Sequence, residues 1–301
     1  MKNNSRFYQC KTLQEALYHL KNVNNLKIYS GGTTIKTDSN PNRLDIGDDC
    51  LFLTNCEELK KIEKHERYIT FGSSVPLQKI LDLGKSKIPD FLYEAIETVA
   101  NPIIRCRATL AGNICATDFF HTLYSPLLAI DTRVEIHTPT ETKQIPISKF
   151  NGIENGQIMT SLRIPLIEWD IAHFTRLGLS NQISDVSSSF TFLAKTQKDS
   201  LTDIRIAFCG KIKIRSTELE NSILGAHLPL SHKNIKMTLD KASKIFDEEV
   251  EYSIKKSLMD SPNAEPTPDL SQKIENAKKD YHPMIKEQFL NLLKMNLEKL
   301  M

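Results

Sequence analysis

The sequence has no long hydrophobic run and no strong charge of either sign. No stretch of about 18 apolar residues occurs, so a membrane-spanning helix is not expected. The amino terminus, MKNNSRFYQC, lacks the apolar core of a signal peptide. A net charge of +2 over 301 residues gives no reason to expect nucleic acid or an acidic membrane as a partner. The expectation is therefore a globular cytoplasmic protein without a membrane span or a nucleic-acid site.

Common metal and nucleotide motifs are also missing. None of the six cysteines forms a CxxC pair, so a zinc ribbon or an iron–sulfur cluster held by this chain alone is not expected. Reduced, mostly buried thiols are the simpler interpretation. The eight histidines form no HxxxH or HExxH pattern. No GxGxxG occurs, and no lysine closes a glycine-rich loop, so neither a Rossmann site nor a P-loop is predicted.

The chain does have enough hydrophobic residues for two cores. It combines 40% hydrophobic with 25% charged residues over 301 positions. Strand and helix patterns are mixed up to Pro165, and the pattern changes before about Ile171, which predicts a domain boundary there. The second part carries strands followed by helices. We predict an α+β architecture in two lobes.

Local signals place the individual elements. Thr12 and Glu15 fit a capping box, Ser74 is a candidate helix cap with Pro76 in the first turn, and Asp90 is another candidate cap. The predicted strands are 26–29, 43–46, 51–53, 67–71, 133–137, 143–147, 157–164, 188–194 and 203–213. The remaining predicted helices are 216–225, 231–247 and 285–300, and 260–268 is a proline-rich linker.

A glycine pair, Gly31-Gly32, directly follows a predicted strand. Glycine permits positive φ angles and lets a ligand approach the backbone, and successive amides in such a turn can bind an anion. Thr33 and Thr34 add hydroxyl donors. The alternative is a tight surface turn without a ligand. We call residues 30–35 the first glycine segment.

A second stretch, Thr109-Leu-Ala-Gly-Asn113, combines a hydroxyl, small residues and a side-chain amide. It suits a ligand lying against the main chain, or else a packed crossover in which small residues fit sterically. We call residues 108–114 the second glycine segment. Together the two segments could hold one extended dinucleotide. Because residues 30–34 contain no lysine or arginine, its pyrophosphate is expected to take amide donors rather than fixed cations.

These segments lie among further motifs in a fixed order. Residues 29–34, YSGGTT, are similar to a loop written AGGTD or AGGHS, and residues 104–114, IRCRATLAGNI, are similar to IRNxATIGGNI. Residues 126–131, PLLAID, match PLLALDA. Further similarity lies at 43–47, 58–63, 69–75, 174–178, 205–210 and 218–225. The chain thereby resembles the flavoprotein subunits of xanthine dehydrogenase and carbon monoxide dehydrogenase, over nearly its whole length.

The resemblance implies a particular domain organisation. Residues 1–168 would form an FAD-binding domain of the vanillyl-alcohol oxidase (PCMH) type, with subdomains of about 1–55 and 56–168. Residues 169–301 would form the smaller α+β C-terminal domain with a helical tail.

The resemblance also implies a cofactor, a function and partners. FAD would be bound non-covalently, and the chain would pass electrons from 2Fe-2S clusters to NAD or another acceptor. A molybdopterin-binding large subunit would hydroxylate the substrate, and a small subunit would carry the 2Fe-2S clusters. The implied FAD-binding residues are Ser30, Gly31, Gly32, Thr33, Thr34, Ile35, Ala108, Thr109, Gly112, Asn113, Ile114, Thr122 and Arg176.

Three departures from the family pattern fall on this implied cofactor site. Ala111 stands where the family usually has glycine, and its methyl group could crowd a ligand or demand a different φ. Thr122 stands where the family usually has an aspartate, while Asp118 lies four residues earlier. Arg176 replaces a lysine and keeps the charge but not the shape. The alternative hypothesis is therefore a flavin-free scaffold subunit of such a complex.

Overall fold

The computed structural model describes residues 6–35, 46–116, 120–179, 186–259 and 283–301. The chain divides into two compact units. The first comprises Met1–Glu168 with Ser180–Gln182, and the second comprises Trp169–Leu179 with Ile183–Met301. Both units combine helices with sheets, which confirms the α+β class. The predicted strand 43–46 and the predicted linker 260–268 fall wholly or almost wholly outside the described residues.

The first unit contains eight strands and six α-helices in its described part. They are β1 (Arg6–Gln9), α1 (Leu13–Asn22), β2 (Lys27–Tyr29), β3 (Asp49–Phe52), β4 (Ile62–Lys64), β5 (Tyr68–Gly72), α2 (Leu77–Leu81), α3 (Asp90–Glu97), α4 (Pro102–Arg105), α5 (Leu110–Ile114), α6 (Tyr124–Ala129), β6 (Arg133–His137), β7 (Thr142–Pro146) and β8 (Ile158–Pro165).

Strands β1, β3 and β2 form a parallel three-stranded sheet in that order. Helix α1 begins as the sequence predicts, because the Thr12 hydroxyl accepts from Glu15 N at 3.2 Å and the Glu15 carboxylate accepts from Lys11 N at 2.7 Å. Ala16 and Leu51 are buried in the core beneath the helix. Strand β1 has no counterpart in the sequence prediction, since its short and mostly exposed pattern carries no periodic signal.

A second sheet is antiparallel, with the strand order β4-β5-β8-β6-β7. Period-two alternation buries one face through residues such as Phe71, Val134 and Leu162, and leaves a polar opposite face. The predicted strands 67–71, 133–137, 143–147 and 157–164 therefore exist, with ends shifted by at most one residue.

Two predicted helix caps are wrong. Ser74 lies too early, because helix α2 starts after Pro76, whose fixed φ leads into the helix without a side-chain cap. Asp90 is the first residue of α3 rather than its cap, which is Pro89. Pro102 is the first residue of α4, which is capped by the Asn101 side chain, whose oxygen accepts from Ile104 N at 2.9 Å.

The second unit has a four-stranded antiparallel sheet and three helices in its described part. Its elements are β9 (Ile171–Leu177), β10 (Ser188–Gln197), β11 (Ser200–Cys209), β12 (Lys213–Ile214), α7 (Thr217–Asn221), α8 (His232–Met259) and α9 (Pro283–Glu298). Phe190 and Phe208 of the sheet share one core with Phe246 of α8 and Phe289 of α9. Helix α8 extends twelve residues beyond the predicted end at 247, and β9 was not predicted as a strand.

Candidate functional site

The first glycine segment leaves the three-stranded sheet at the end of β2. Leu53 N donates to Tyr29 O at 2.8 Å, and the Thr54 hydroxyl donates to Ser30 O at 2.9 Å. The Ser30 hydroxyl donates to the Ser74 hydroxyl at 3.1 Å. The hydroxyl of Ser30 thus connects the start of the first glycine segment to the loop that follows β5.

Beyond Ser30 the chain makes a tight turn. Gly32 has a φ of +69°, a conformation that favours glycine, and Ile35 N donates to Gly32 O at 3.4 Å. Thr33 and Thr34 at the tip are exposed. Among the residues that the structure describes, none accepts a hydrogen bond from the backbone N–H groups of residues 31–34. These N–H groups therefore remain as hydrogen-bond donors without an acceptor in the described part of the chain.

The second glycine segment is a short capped helix rather than extended backbone. The Thr109 hydroxyl accepts from Gly112 N at 3.0 Å at the start of α5. Ala111 takes a helical conformation, and its side chain is buried. The methyl group that departs from the family pattern is therefore accommodated in the core and demands no unusual φ. Gly112 is exposed on the helix.

The two glycine segments meet at one point. A Cβ atom on Gly31 would overlap the carbonyl oxygen of Arg107 and lie 3.2 Å from Ala108 N. Arg107 Nε also donates to Gly31 O at 3.3 Å. Leu77 N donates to Ala108 O at 2.8 Å, which secures this backbone against the start of α2. Gly31 is thus required by a close approach of two backbones.

Asn113 connects the second glycine segment to the chain that follows. Its side-chain oxygen accepts from Leu123 N at 3.1 Å, which places the neighbouring Thr122 close to the segment. Thr122 is 8% exposed, and Ile114 is buried in the core. Asp118, the candidate replacement for the family's aspartate, lies outside the described residues. The side chains of Ile114 and Thr122 are therefore mostly enclosed by protein, whereas Gly112 is open to solvent.

Arg176, the remaining predicted site residue, lies on β9 in the second unit. Its Nη2 atom donates to Leu179 O at 2.6 Å. Burial lowers the pKa of its guanidinium group, yet arginine stays charged under ordinary conditions.

A separate polar cleft of about 400 Å³ lies on the exposed face of the five-stranded sheet and includes no residue of either glycine segment. Its central carboxylate, Glu135, accepts hydrogen bonds from the Thr160 hydroxyl at 2.7 Å and from Gln144 Nε2 at 3.2 Å. Burial raises the pKa of Glu135, but these hydrogen bonds and the nearby His137 outweigh it, so the pKa is lowered. Arg163 stacks over the Tyr68 ring at 3.5 Å from its centroid. Glu135 and Arg163 thus each have a partner within the cleft.

The cysteines are free thiols in the structure. Cys10, Cys50, Cys56 and Cys209 are buried, as the sequence interpretation expects. Cys106 is exposed between the two arginines of the IRCR sequence, and burial raises the pKa of Cys115 to about 12. No helix in the described part of the chain is long and apolar enough to cross a membrane.

Arg107 is the residue at this site that the sequence analysis did not single out. It stands at the variable position of the IRNxATIGGNI pattern, so the pattern itself gives no signal for it. Ser74 and Thr54, which fix Ser30, were also not assigned to the site.

Comparisons with known proteins agree on one family. Residues 3–167 match the family model described as the FAD binding domain in molybdopterin dehydrogenase. The xanthine dehydrogenase FAD-binding subunit of Escherichia coli O157:H7 is 25% identical over 168 residues, which cover 53% of this chain and 57% of that protein. A putative xanthine dehydrogenase FAD-binding subunit of Escherichia coli K12 has the same identity and coverage. The match thus spans a little over half the length of these relatives.

Solved structures share the fold over almost the whole chain. Carbon monoxide dehydrogenase from Hydrogenophaga pseudoflava, lacking the Mo-pyranopterin moiety of its molybdenum cofactor, matches with a TM-score of 0.70 and 16% identity, covering 94% of this chain and 95% of that chain. Quinoline 2-oxidoreductase from Pseudomonas putida 86 matches with a TM-score of 0.65 and 16% identity, covering 98% of both chains. At these identities the likeness concerns the fold alone.

Proposed function

Because the chain belongs to the family of FAD-binding domains in molybdopterin dehydrogenases, we propose that it is the FAD-binding, electron-transferring subunit of a multi-subunit molybdenum hydroxylase. The observation that carries this proposal is the contact of Gly31, in the first glycine segment, with Arg107 and with Ala108 at the start of the second. Parts of the chain that are 76 positions apart in sequence lie next to each other there. A single extended dinucleotide can therefore contact both.

The donors of the first glycine segment fit the pyrophosphate of FAD. Successive amides in a turn suit a diphosphate, which accepts several hydrogen bonds at once. The N–H groups of residues 31–34 have no acceptor among the described residues, and neither Gly31 nor Gly32 carries a side chain that would cover them. We infer non-covalent binding, with the amides providing most of the contacts to the phosphates.

The proposed binding residues play different parts. Ser30 and Thr109 hold the backbone through their hydroxyl groups, and Gly112 and Asn113 offer the accessible part of the second glycine segment. Ala108, Ile114 and Thr122 are mostly buried, so we expect them to shape the site rather than to donate to FAD. The full proposed set is Ser30, Gly31, Gly32, Thr33, Thr34, Ile35, Ala108, Thr109, Gly112, Asn113, Ile114, Thr122 and Arg176.

We assign the domains accordingly. Residues 1–55 with the three-stranded sheet and residues 56–168 with the five-stranded sheet are the two subdomains of a PCMH-type FAD-binding domain. Residues 169–301 are the C-terminal domain. The separate hydrophobic core of the second unit supports the C-terminal domain in this assignment.

Bound FAD would accept electrons and pass them on, while the protein sets its position and electrostatic surroundings. We assign substrate hydroxylation to a molybdopterin-binding large subunit and electron delivery to a 2Fe-2S small subunit. NAD or another acceptor would take the electrons from this chain. The names of the two curated relatives, each an FAD-binding subunit of xanthine dehydrogenase, support a role as one subunit among several.

Absorbance of the purified chain tests the proposal. Oxidised flavin absorbs at about 370 and 450 nm. We expect acid precipitation to release the flavin into the supernatant, because FAD is not covalently attached. A colourless protein that also fails to bind added FAD would contradict the proposal. It would favour a flavin-free scaffold subunit, to which the replacement of the family's aspartate by Thr122 points.

Gly112→Ala tests the second glycine segment separately. Gly112 is exposed on α5, and an added Cβ would meet only the Thr109 hydroxyl, at 3.1 Å. The unfolding free energy should stay within about 1 kcal/mol of the wild type, so a loss of FAD affinity would report on ligand approach. Gly84→Ala is the control for a glycine elsewhere in the first unit. Unchanged FAD affinity in Gly112→Ala would exclude close contact of FAD with this face of α5.

A further inference from the structure

Arg107 is anchored at the first glycine segment by both its backbone and its side chain. Its carbonyl oxygen fills the space in front of Gly31, and its Nε atom donates to Gly31 O at 3.3 Å. The side chain is nevertheless exposed. The guanidinium group is thus held next to the turn whose backbone N–H groups have no acceptor in the described part of the chain.

No described residue forms an ion pair that would neutralise the charge of Arg107. In the described part of the chain, Nε is the one nitrogen of its guanidinium group with a hydrogen-bond acceptor. Two Nη atoms therefore remain to donate to another group. Arginine is charged at any ordinary pH, and its planar fork suits phosphate oxygens.

Arg105, two residues earlier, has a different role. Its Nη1 atom donates to the carbonyl oxygens of Glu97, Val99 and Ala100, at 3.0, 2.9 and 3.2 Å. These acceptors lie at and beyond the end of α3, so Arg105 satisfies carbonyl groups that the helix leaves open. Of the two arginines in the IRCR sequence, Arg105 is held against this backbone and is only partly exposed, whereas Arg107 is exposed and its two Nη atoms have no acceptor in the described part of the chain.

We propose that Arg107 binds the pyrophosphate of FAD and supplies the fixed positive charge that the first glycine segment lacks in its own sequence. This inference rests on the proposed function. It also revises the expectation that amide donors alone meet the pyrophosphate. The amides of residues 31–34 and the guanidinium group of Arg107 form one anion-binding surface built from two distant parts of the chain.

The test compares FAD affinity between the full wild-type chain and its Arg107→Gln and Arg107→Lys variants. Apoprotein is titrated with FAD, and binding is followed by flavin fluorescence. Loss of a charge-assisted hydrogen bond predicts about tenfold or weaker binding in Arg107→Gln. Arg107→Lys should recover part of the affinity because it keeps the charge without the fork. Arg133→Gln is the control, because it removes the same charge from an exposed arginine on β6. It should bind FAD like the wild type.

Salt and ligand dependence separate binding from a purely structural role. Between about 50 and 500 mM NaCl, screening should weaken FAD binding to the wild type more steeply than to Arg107→Gln. Riboflavin, which has no phosphate, should bind both proteins equally. Equal FAD affinity in the wild type and Arg107→Gln, or equal salt slopes, would overturn this inference and leave the proposed function standing. A wild-type chain that binds no FAD would overturn both.

Discussion

Gly31 and Arg107 lie so close that the carbonyl oxygen of Arg107 occupies the position of a side chain on Gly31. The same arginine donates from Nε to Gly31 O at 3.3 Å. This contact joins the two glycine segments and explains the first glycine of the pair through packing. The second glycine, Gly32, is explained by its φ of +69°. The two neighbouring glycines are therefore required for different reasons.

Gly31→Ala should destabilise the fold of the first unit. The added Cβ atom would meet the backbone of Arg107, which cannot move as a side chain would, and overpacking of this kind costs about 1–3 kcal/mol. Urea denaturation measures the loss in unfolding free energy. Gly112→Ala is the control, because Gly112 lies in α5 without a positive φ and an added Cβ atom there would meet only the Thr109 hydroxyl, at 3.1 Å. A Gly31→Ala protein as stable as the wild type would show that the two segments separate easily.

Gly32→Val should abolish FAD retention while leaving most of the fold intact. A β-branched residue at this φ is strained by about 1–2 kcal/mol, and its Cβ atom would lie 3.3 Å from the Ile35 side chain. The turn that presents the amides would therefore change shape. Flavin content per protein gives the result, and circular dichroism checks the fold. Full flavin content in this variant would contradict the assignment of the first glycine segment to the phosphates.

Glu220 and Arg215 form a buried ion pair that should stabilise the second unit. Glu220 Oε1 accepts from Arg215 Nε at 3.2 Å and from Ile206 N at 3.0 Å, and Glu220 is 4% exposed. Burial raises the pKa of Glu220 and Arg215 opposes this. Glu220→Ala leaves a buried cation without this partner, which costs about 3–5 kcal/mol.

Thermal and urea denaturation give the size of this effect. The double variant Arg215→Met with Glu220→Leu is the control, and it should recover part of the lost stability because no buried charge remains unpaired. A single Glu220→Ala variant as stable as the double variant would contradict the role of the pair.

Protonation of Glu135 in acid should lower the unfolding free energy of the first unit. Its pKa is lowered in the folded state, because hydrogen bonds from Thr160 and Gln144 and the charge of His137 outweigh the effect of burial. A lowered pKa means that its contribution is present above the ordinary carboxyl pKa of about 4.3 and is lost as the pH falls through the folded value. Glu135→Gln should therefore flatten the fall in stability below about pH 5.

Stability measured against pH by urea denaturation tests this expectation. Glu141→Gln, at an exposed carboxylate on the neighbouring turn, is the control and should follow the wild-type curve. If the unfolding free energy falls as steeply below about pH 5 in Glu135→Gln as in the wild type, other carboxylates cause the acid sensitivity.

Local features of the fold could be predicted from the sequence. The Thr12 cap, the hairpin of β6 and β7, and the long strands of both units each carry a signal within a few residues of chain. Short elements such as β1, α4 and α5 carry too few residues for a periodic pattern, so they were missed. The caps at Ser74 and Asp90 were misplaced because proline sets φ at the helix start without a side-chain hydrogen bond.

The sequence by itself determined the α+β class, the family and the two glycine segments, because these depend on composition and on the order of short motifs. Tertiary structure alone decided that the two segments touch and that Gly31 is needed for packing against Arg107. It also decided that Ala111 fits within a helix and that Arg107 is held beside the amide-lined turn. Contacts between residues about 75 positions apart depend on how sheets and helices pack, and no local pattern records that packing.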